Sequence, residues 1–501
     1  MKGVIRSSIN DEKIEETTGY IKDLVSTYEI DKKKRRDYGV HLTSSQIFKR
    51  YIFPEIKEYL YDYVFVDLFC GEGNLILPIL EFMPQEKRKE YFERHIFLFD
   101  IQKEMVEKSI KNAKNYGIPE EVAAKNIKVQ DTLKNYPVFI KNLNYPIYHI
   151  TNPPYLYIGY IVKKSQRNLK YFTEENTGYQ DLYQIALMND LRNNIKKLIY
   201  IIPTNFLFGA SVSNKIRMDF LPFYKIKKAI IFERKIFKFT GTNVCICFFE
   251  RKEKTSKKSI SFPALKINHN GSVKKRYTLS PENFYRGGNE FDEFISMYRR
   301  KGLINVNFYL TLDEIKKNRG EISVKLLDVN SFSEGYYKFE TYRVNQALYQ
   351  KIRNNPLFVR TLDTGKWEGR VGLYNIREIF GVDGIVVTKE KYRTHPIQLF
   401  ITPTLGKSDL ELLRDYFNLM LEYFRDITDS EFLTTFKYSS SEYVRKYLGL
   451  SQTKKLIETL PLPLMDKREK DTIRILIIQK NVEGIKEFLS NFKREKSGSL
   501  F

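Results

Sequence analysis

The sequence predicts an α/β fold, in which a doubly wound, mostly parallel sheet is followed by a second domain of mixed α+β structure. Two patterns predict it. In the first 250 residues, short apolar runs alternate with stretches of helical periodicity, as crossover connections between parallel strands require. A charged segment at 251–259 then leads into short β-rich pieces and a helical pattern from 408 onward. We expect domains at 1–252 and 253–501.

Apolar runs place the strands of the first domain. They lie at 63–69, 95–100, 126–131, 147–151, 197–203, 227–233 and 243–250. Helical periodicity predicts helices at 74–83, 102–115 and 178–197. The last two apolar runs are close along the chain, so we expect them to form an antiparallel hairpin at one edge of the sheet. In the second domain, the pattern predicts helices within 408–460 and one at 470–493.

Composition points to a polyanionic partner. The chain has 501 residues, and 42% of them are apolar, which excludes wholesale disorder. There are 84 Lys and Arg against 61 Asp and Glu, a net charge of +23. The excess is spread along the chain, with 39 basic and 30 acidic residues in 1–250 and 45 and 31 in 251–501. Nucleic acid is the commonest partner of such a surface, and the 35 Tyr and 36 Phe suit base stacking.

Several classes of protein are excluded or disfavoured. Three cysteines in 501 residues exclude a disulfide scaffold. A zinc site is disfavoured, because there is no C-x-x-C pair and the five histidines are scattered, and we expect no metal. The first residues lack the apolar core of a signal peptide, and no run is long enough to span a membrane. We expect a cytoplasmic protein.

A glycine motif, Asp67–Gly73, follows the first strand and opens a helix. The carboxyl ends of strands in open α/β sheets bind ligands, and Gly71 and Gly73 allow a tight turn close to one. A dinucleotide fingerprint needs a further glycine where Ile76 stands, so NAD is disfavoured. Asp100 ends the next strand, where a carboxylate can accept hydrogen bonds from both hydroxyls of a ribose.

A second motif, Asn152–Tyr155, ends the fourth strand with the sequence N-P-P-Y. Two prolines remove backbone donors and stiffen the turn, which fixes the directions of the Asn152 and Pro153 carbonyls. The side chain of Asn152 adds an acceptor, and Tyr155 offers a flat face. Two acceptors beside a stacking ring suit a planar exocyclic amine.

This order of motifs resembles the Rossmann-like S-adenosylmethionine-dependent amino-methyltransferases. The specific resemblance is to the gamma class of DNA adenine-N6 methyltransferases, the TaqI-like enzymes of restriction–modification systems, and covers about residues 36–250. It implies a site-specific DNA methyltransferase that acts on adenine N6 of a flipped-out base. It further implies the modification enzyme of a type II restriction–modification system, with residues 253–501 as its target-recognition domain.

The resemblance also implies site residues. The segment Tyr38–Thr43 resembles the N-terminal cofactor motif of the family. Implied contacts to S-adenosylmethionine are Thr43, Asp67, Phe69, Gly71, Gly73, Asp100, Ile101, Asp131 and Asn152. Implied catalytic residues are Asn152, Pro153, Pro154, Tyr155 and Phe237, with Phe239 as an alternative for the phenylalanine that packs on the extruded base.

Double-stranded DNA is the partner that the resemblance implies, and a cognate restriction endonuclease acting on the same site is a further candidate. We expect a monomer without membrane contact. Candidate readers of bases and phosphates in the second domain are Arg343, Arg353, Lys366, Trp367, Arg370 and Lys391.

Other functions stay open at this point. Cytosine-N4 methylation uses the same geometry, and structured RNA or a protein glutamine are alternative substrates of such a site. A catalytically silent DNA-binding module is the alternative outside the enzymes. Cytosine-C5 methylation is excluded, because it needs a nucleophilic cysteine after a proline and the sequence contains no Pro-Cys pair.

Overall fold

A computed structural model describes most of the chain, and every structural statement below concerns the residues that it describes. These are residues 43–164, 166–209, 211–233, 236, 243–268, 271–363, 369–389, 396–428 and 447–498. The chain divides into two compact units. Among the described residues, the first runs to Tyr285 and the second begins at Arg286, except that residues 207–209 and Asn243 group with the second.

A sheet of nine strands forms the first unit. The strands are β1 (Val64–Asp67), β2 (Ile96–Asp100), β3 (Ile127–Val129), β4 (Ile147–Thr151), β5 (Lys197–Pro203), β6 (Tyr224–Phe232), β7 (Val244–Arg251), β8 (Ile260–Asn268) and β9 (Gly271–Leu279). Their order in the sheet is β3-β2-β1-β4-β5-β7-β6-β8-β9. The first five strands are parallel, which confirms the predicted doubly wound α/β fold.

Helices connect these strands, as the alternating pattern predicts. They are α1 (Gln85–His95), α2 (Lys103–Asn115), α3 (Glu120–Asn126), α4 (Ile158–Lys164), α5 (Leu182–Arg192) and α6 (Asn214–Phe220). Short helical turns cover Ser45–Ile47, Phe48–Ile52 and Phe53–Ile56. The helix predicted at 74–83 is instead a set of turns that ends in a 3-10 segment, Leu77–Phe82. Pro78 explains the difference, because it lacks the N–H that an α-helix beginning at 74 would use.

The antiparallel hairpin of β6 and β7 forms as predicted, but it is not the edge of the sheet. β8 pairs with β6 in parallel, and β9 pairs with β8. The apolar run at 260–267 therefore completes the first sheet, and the compact unit extends past the predicted boundary at 252. The assignment of a catalytic and a target-recognition role to the two regions stays a prediction.

The second unit contains two four-stranded sheets, ordered β10-β17-β14-β15 and β11-β16-β12-β13. The strands are β10 (Asn305–Phe308), β11 (Leu310–Thr311), β12 (Arg319–Ser333), β13 (Tyr336–Val344), β14 (Leu357–Arg360), β15 (Gly372–Asn375), β16 (Gly384–Val387) and β17 (Ile397–Thr402). This mixture of sheets with the helices below agrees with the predicted α+β class.

Eight helices of the described residues accompany these sheets. They are α7 (Glu290–Tyr298), α8 (Leu312–Lys317), α9 (Gln346–Arg353), α10 (Ile376–Phe380), α11 (Lys407–Ile427), α12 (Leu450–Ile457), α13 (Lys467–Ile478) and α14 (Val482–Gly498). The single helix predicted at 470–493 is split into α13 and α14. Lys480 interrupts it with a φ of 53°, and the Asn481 side chain accepts a hydrogen bond from the Gly484 N–H at 2.9 Å.

Candidate functional site

The candidate site lies where the strand order of the first sheet reverses. β1 is flanked by β2 and β4, so the loops that follow β1 and β4 leave the same edge in neighbouring positions. Ligands bind in open α/β sheets at such a reversal. The ends of the two strands are in contact, because the Thr151 hydroxyl at the end of β4 donates to Asp67 Oδ1 at the end of β1 at 2.5 Å. The glycine motif and the N-P-P-Y turn therefore begin side by side.

The glycine loop after β1 has the tight backbone that its sequence predicts. Gly71 and Gly73 have φ values of 54° and 83°, in the left-handed region. A β-carbon at Gly73 would lie 2.5 Å from Leu77 Cδ1, so a larger residue would have to displace this side chain and adopt a strained positive φ. The Gly71 N–H donates to Asp100 Oδ2 at 2.9 Å, and the Gln102 N–H donates to Asp100 Oδ1 at 2.9 Å. The carboxylate at the end of β2 thus holds the loop that follows β1.

Asp67 and Asp100 are both buried carboxyl groups. Burial raises the pKa of Asp67 to about 6, although hydrogen bonds from Thr151 and the Phe69 N–H oppose this shift. Burial also raises the pKa of Asp100, against the hydrogen bonds from the backbone N–H groups of Gln102 and Gly71. The Thr151 hydroxyl and the Phe69 N–H both donate to Asp67 Oδ1, so Oδ2 is the Asp67 oxygen that can accept from a ligand, whereas each Asp100 oxygen accepts one of these backbone N–H groups and has a second lone pair.

Two predicted cofactor contacts differ in their surroundings. Ile101, beside Asp100, has 43% of its surface exposed, which leaves a face for a ring to cover. Asp131 already accepts a hydrogen bond from the Tyr171 hydroxyl at 2.8 Å and lies 3.4 Å from the Lys170 amine. Any contact of Asp131 to an adenine amine would therefore be shared with these groups.

The N-P-P-Y turn is held by the side chains of its first and last residues. Asn152 Nδ2 donates to Thr43 Oγ1 at 2.9 Å, which joins residues 109 positions apart. The Tyr155 hydroxyl donates to Asn152 Oδ1, and it lies 2.7 Å from the Ile201 carbonyl oxygen on β5. Burial raises the pKa of this hydroxyl well above its usual range, so it keeps its proton and acts as a donor.

The structure corrects one expectation about this turn. Only 7% of the Tyr155 surface is exposed, whereas the sequence predicts a ring face open for stacking. Proximity to β5 is the reason, because the Tyr155 hydroxyl lies 2.7 Å from the Ile201 carbonyl oxygen on that strand. A base can stack on this ring only after neighbouring groups move. Asn152 Oδ1 accepts from the Tyr155 hydroxyl, and a carbonyl oxygen can accept two hydrogen bonds.

The geometry agrees with a comparison of the sequence with protein families. Residues 31–331, more than half of the chain, match the family model described as N-6 DNA Methylase. The chain belongs to the N-6 DNA methylase family. The matched range includes the glycine loop, the N-P-P-Y turn and all nine strands of the first sheet. No curated protein matches the chain.

Solved structures of low identity resemble this member of the N-6 DNA methylase family. A modification subunit from Vibrio vulnificus YJ016 is 15% identical, with 59% of each chain covered and a TM-score of 0.36. The type IIL restriction-modification enzyme MmeI in complex with DNA is 11% identical over 90% of this chain and 72% of MmeI, with a TM-score of 0.47. A DrdV–DNA complex is 11% identical over 59% of this chain and 36% of DrdV, with a TM-score of 0.38. The chain thus spans less than two thirds of the Vibrio subunit and of DrdV.

Some predicted residues lie outside the described part of this methylase-family chain. They are Phe237, its alternative Phe239, the first five residues of the segment Tyr38–Thr43, and the candidate readers Lys366, Trp367 and Lys391. Among the remaining candidate readers, Arg343 is exposed and lies 3.5 Å from Glu321, while Arg370 donates to Glu422 at 3.0 Å. Arg353 donates to a tyrosine hydroxyl on its own helix at 2.8 Å. No base-reading role follows from these contacts.

The cysteines behave as the sequence predicts. Cys70, Cys245 and Cys247 are free and buried, and the two sulfur atoms on β7 lie 3.6 Å apart on one side of the strand. Burial raises the pKa of Cys70 well above its usual range, so a thiolate nucleophile is disfavoured there. Within the described ranges there is no cluster of metal-ligating side chains, and no helix is long and apolar enough to cross a membrane.

Sequence reasoning missed a buried polar network behind the glycine loop. His149, in the middle of β4, contacts both Asp190 on α5 and the backbone of Leu68 in the loop after β1. Tyr200 and Tyr136 also donate to Asp190. The only signal in the sequence is a histidine within an otherwise apolar strand, and that pattern does not identify a partner 41 residues away.

Proposed function

We propose that this chain is a site-specific DNA methyltransferase that transfers a methyl group from S-adenosylmethionine to adenine N6. We place it in the gamma, TaqI-like class and infer that it is the modification enzyme of a type II restriction–modification system. The hydrogen bond between Thr151 and Asp67, at the strand ends from which the N-P-P-Y turn and the glycine loop begin, carries the proposal. It supports a cofactor loop next to an amine-binding turn, and membership of the N-6 DNA methylase family supports the same chemistry.

The residues at the loop fit S-adenosylmethionine. The left-handed Gly71–Gly73 turn and the buried Asp67 suit the methionine end, and Asp100 offers free lone pairs to the ribose hydroxyls. The exposed Ile101 would pack on the adenine ring of the cofactor, with Asp131 near its amine. When bound, S-adenosylmethionine supplies a methyl group on a sulfonium.

The turn would activate the target amine. Asn152 Oδ1 and the Pro153 carbonyl accept the two hydrogens of the amine and hold its nitrogen toward tetrahedral geometry. The amine becomes positively charged as its nitrogen forms the new bond, and these oxygens stabilise that charge because they are already oriented. No strong base is needed, since the cationic methylated amine readily loses a proton to water.

DNA binding is supported by the charge of the first unit. Residues 251–280 contain nine Lys and Arg and one acidic residue. Within this segment β9 exposes Lys274 and Arg276, and among the described residues neither is in an ion pair. Such side chains suit phosphate contacts, which would help to offset the few kcal/mol needed to flip a base out of the duplex. We further propose that the second unit recognises the target sequence.

Labelled methyl transfer tests the proposal. The full chain is incubated with tritiated S-adenosylmethionine and, separately, with unmethylated double-stranded DNA, structured RNA and a protein extract, and the labelled atom is mapped. Label on adenine N6 of a defined DNA sequence is expected. Label on cytosine N4, on RNA or on a glutamine side chain would overturn the adenine-specific assignment, and the absence of transfer would overturn the enzymatic one.

The proposed phosphate contacts have their own test. The double variant Lys274→Ala with Arg276→Ala should reduce the slope of log affinity against log salt by about 2, because each lost phosphate contact removes about one released counterion. The matched control replaces Lys111 and Lys114, two exposed lysines on α2, and should leave the slope unchanged. If the two double variants have equal slopes, Lys274 and Arg276 do not contact the phosphates of the bound DNA.

Several features remain predictions of the same proposal. We expect a cytoplasmic monomer and a cognate restriction endonuclease that acts on the same DNA sequence. Size-exclusion chromatography with light scattering measures the first, and protection of methylated DNA from nuclease in the source cells measures the second.

A further inference from the structure

The peptide groups on both sides of Leu68 are held by buried side chains. Leu68 lies between Asp67 and Phe69, at the start of the glycine loop. Its N–H donates to His149 Nε2 at 3.3 Å, and its carbonyl oxygen accepts from Thr132 Oγ1 at 2.8 Å. We call His149 and Thr132 the Leu68 clamp. The clamp fixes the direction in which the chain leaves β1 and enters the glycine turn.

A carboxylate orients the histidine of this clamp. His149 Nε2 accepts the Leu68 N–H, so it carries no proton, and the ring proton lies on Nδ1. This nitrogen is 2.6 Å from Asp190 Oδ2 and donates to it. Asp190 also accepts from the Tyr200 hydroxyl at 2.5 Å and from the Tyr136 hydroxyl at 3.1 Å. Three donors therefore converge on Asp190, which fixes its position and in turn the tautomer of His149.

Burial excludes direct chemistry by this histidine. His149 and Asp190 both have 0% of their surface exposed, and both ring nitrogens of His149 are occupied by groups of the protein. A histidine that only fills the core could form hydrogen bonds through its ring nitrogens with any buried polar group. His149 instead bonds to the backbone of the one loop that the proposed function assigns to the cofactor.

We propose that His149, oriented by Asp190, and Thr132 are positioning residues that hold the loop Asp67–Gly73 in the conformation that binds S-adenosylmethionine. The identity of the ligand rests on the proposed function, whereas the clamp rests on the contacts themselves. The same strand reaches both subsites: Thr151, two residues after His149, bonds Asp67, and Asn152 follows it directly. β4 thus sets the glycine loop and the N-P-P-Y turn relative to each other.

Four substitutions in the full chain test the clamp. His149→Leu removes the acceptor for the Leu68 N–H, and Thr132→Val removes the donor to its carbonyl with little change of shape. His149→Gln keeps an acceptor and a donor. Tyr91→Phe is the matched control, because it removes a buried hydrogen bond, from the Tyr91 hydroxyl to the Leu60 carbonyl oxygen at 2.8 Å, that involves neither Asp190 nor the glycine loop.

Two measurements are made on each variant: the dissociation constant of S-adenosylmethionine by calorimetry, and amide hydrogen exchange of peptides that cover residues 64–73. We expect His149→Leu to weaken cofactor binding about tenfold and Thr132→Val about threefold, because each leaves a buried backbone group without its partner. Exchange in the loop should accelerate in both. His149→Gln should lie nearer to the unmodified protein, and Tyr91→Phe should change neither measurement.

A kinetic split separates positioning from general loss of structure. With DNA as substrate, the clamp variants should raise KM for S-adenosylmethionine and leave KM for DNA unchanged. The clamp is overturned if His149→Leu and Thr132→Val both show the loop exchange and the cofactor affinity of the unmodified protein. If the unmodified protein does not bind S-adenosylmethionine, the proposed function fails, and accelerated loop exchange in the two variants alone still supports the clamp.

Discussion

The two loops that meet at the candidate site are fixed in different ways. The glycine loop after β1 is held from outside, by side chains of other elements that bond to its backbone: His149, Thr132 and Asp100. The turn after β4 is held by its own first and last side chains, through Asn152 to Thr43 and through Tyr155 to β5. Anchoring and the proposed ligand binding are therefore separate at His149 and Thr132, whereas Asp100 and the Asn152 side chain take part in both.

This difference affects how substitutions should be interpreted. A change at His149 or Thr132 alters loop geometry without removing a group that is proposed to touch the ligand. A change at Asn152 removes the proposed acceptor for the target amine and also releases the turn from Thr43. The kinetic effect of a change at Asn152 therefore needs a control that separates loss of the amine acceptor from loss of the bond between the turn and Thr43.

The largest effect is expected at the turn. Asn152→Ala removes a preoriented acceptor from the charge that develops on the amine, so kcat for methyl transfer should fall by about 10²–10³-fold. The dissociation constant of S-adenosylmethionine, measured by calorimetry, should change little because the glycine loop keeps its own anchors. A fully active variant would refute the role of Asn152.

Tyr155→Phe is the matched control for the loss of anchoring. It keeps the ring but removes the hydroxyl that donates to Asn152 Oδ1. Loss of one intramolecular hydrogen bond costs about 1 kcal/mol, which corresponds to about fivefold in rate. If Tyr155→Phe lowers kcat as much as Asn152→Ala, anchoring rather than amine binding dominates at this turn.

The next effect concerns the charge buried at the glycine loop. The pKa of Asp67 is about 6 in the folded protein against an ordinary value of 3.8. Between these values the folded chain holds a proton that the unfolded chain has lost, so the free energy of unfolding falls as pH rises through this window. Above about pH 6 the buried charge of Asp67 lowers the free energy of unfolding by about 3 kcal/mol, and below about pH 4 this loss of stability disappears.

Asp67→Asn should remove this cost, because the amide oxygen can still accept from Thr151 and from the Phe69 N–H. We expect the variant to be more stable than the unmodified protein at pH 7.5, by up to about 3 kcal/mol, and equally stable near pH 4. Urea unfolding at both pH values measures this, with Asp62→Asn, an exposed carboxyl, as the control. A stability difference that does not vary with pH would contradict the shifted pKa of Asp67.

The sequence predicted those parts of the fold and site that depend on local pattern. Apolar runs located the strands of the first sheet through β7, and two motifs located Asp67, Gly71 and Asn152, because strand ends and tight turns leave a local signature. Reversal of the strand order then placed both motifs at one position. The roles of these residues in binding and catalysis are still predictions.

Long-range contacts could not be predicted in this way. The bonds of His149 to Asp190 and to Leu68 join residues on three different elements, and nothing local in the apolar strand β4 specifies them. The pairing of β8 with β6 likewise depends on the sheet edge that β6 leaves free. The burial of Tyr155 follows from its contact with β5, which the N-P-P-Y sequence does not encode.

The smallest expected effect tests whether Thr43 supports the N-P-P-Y turn or contacts the cofactor. Its hydroxyl oxygen accepts from Asn152 Nδ2 at 2.9 Å, whereas the resemblance assigns it to the cofactor. Thr43→Val keeps the shape and removes this acceptor, so kcat should fall about threefold while KM for S-adenosylmethionine stays the same. Thr43→Ser retains the hydroxyl and should behave like the unmodified protein. If Thr43→Val instead raises KM for S-adenosylmethionine at constant kcat, Thr43 acts on the cofactor side, and the turn does not depend on it.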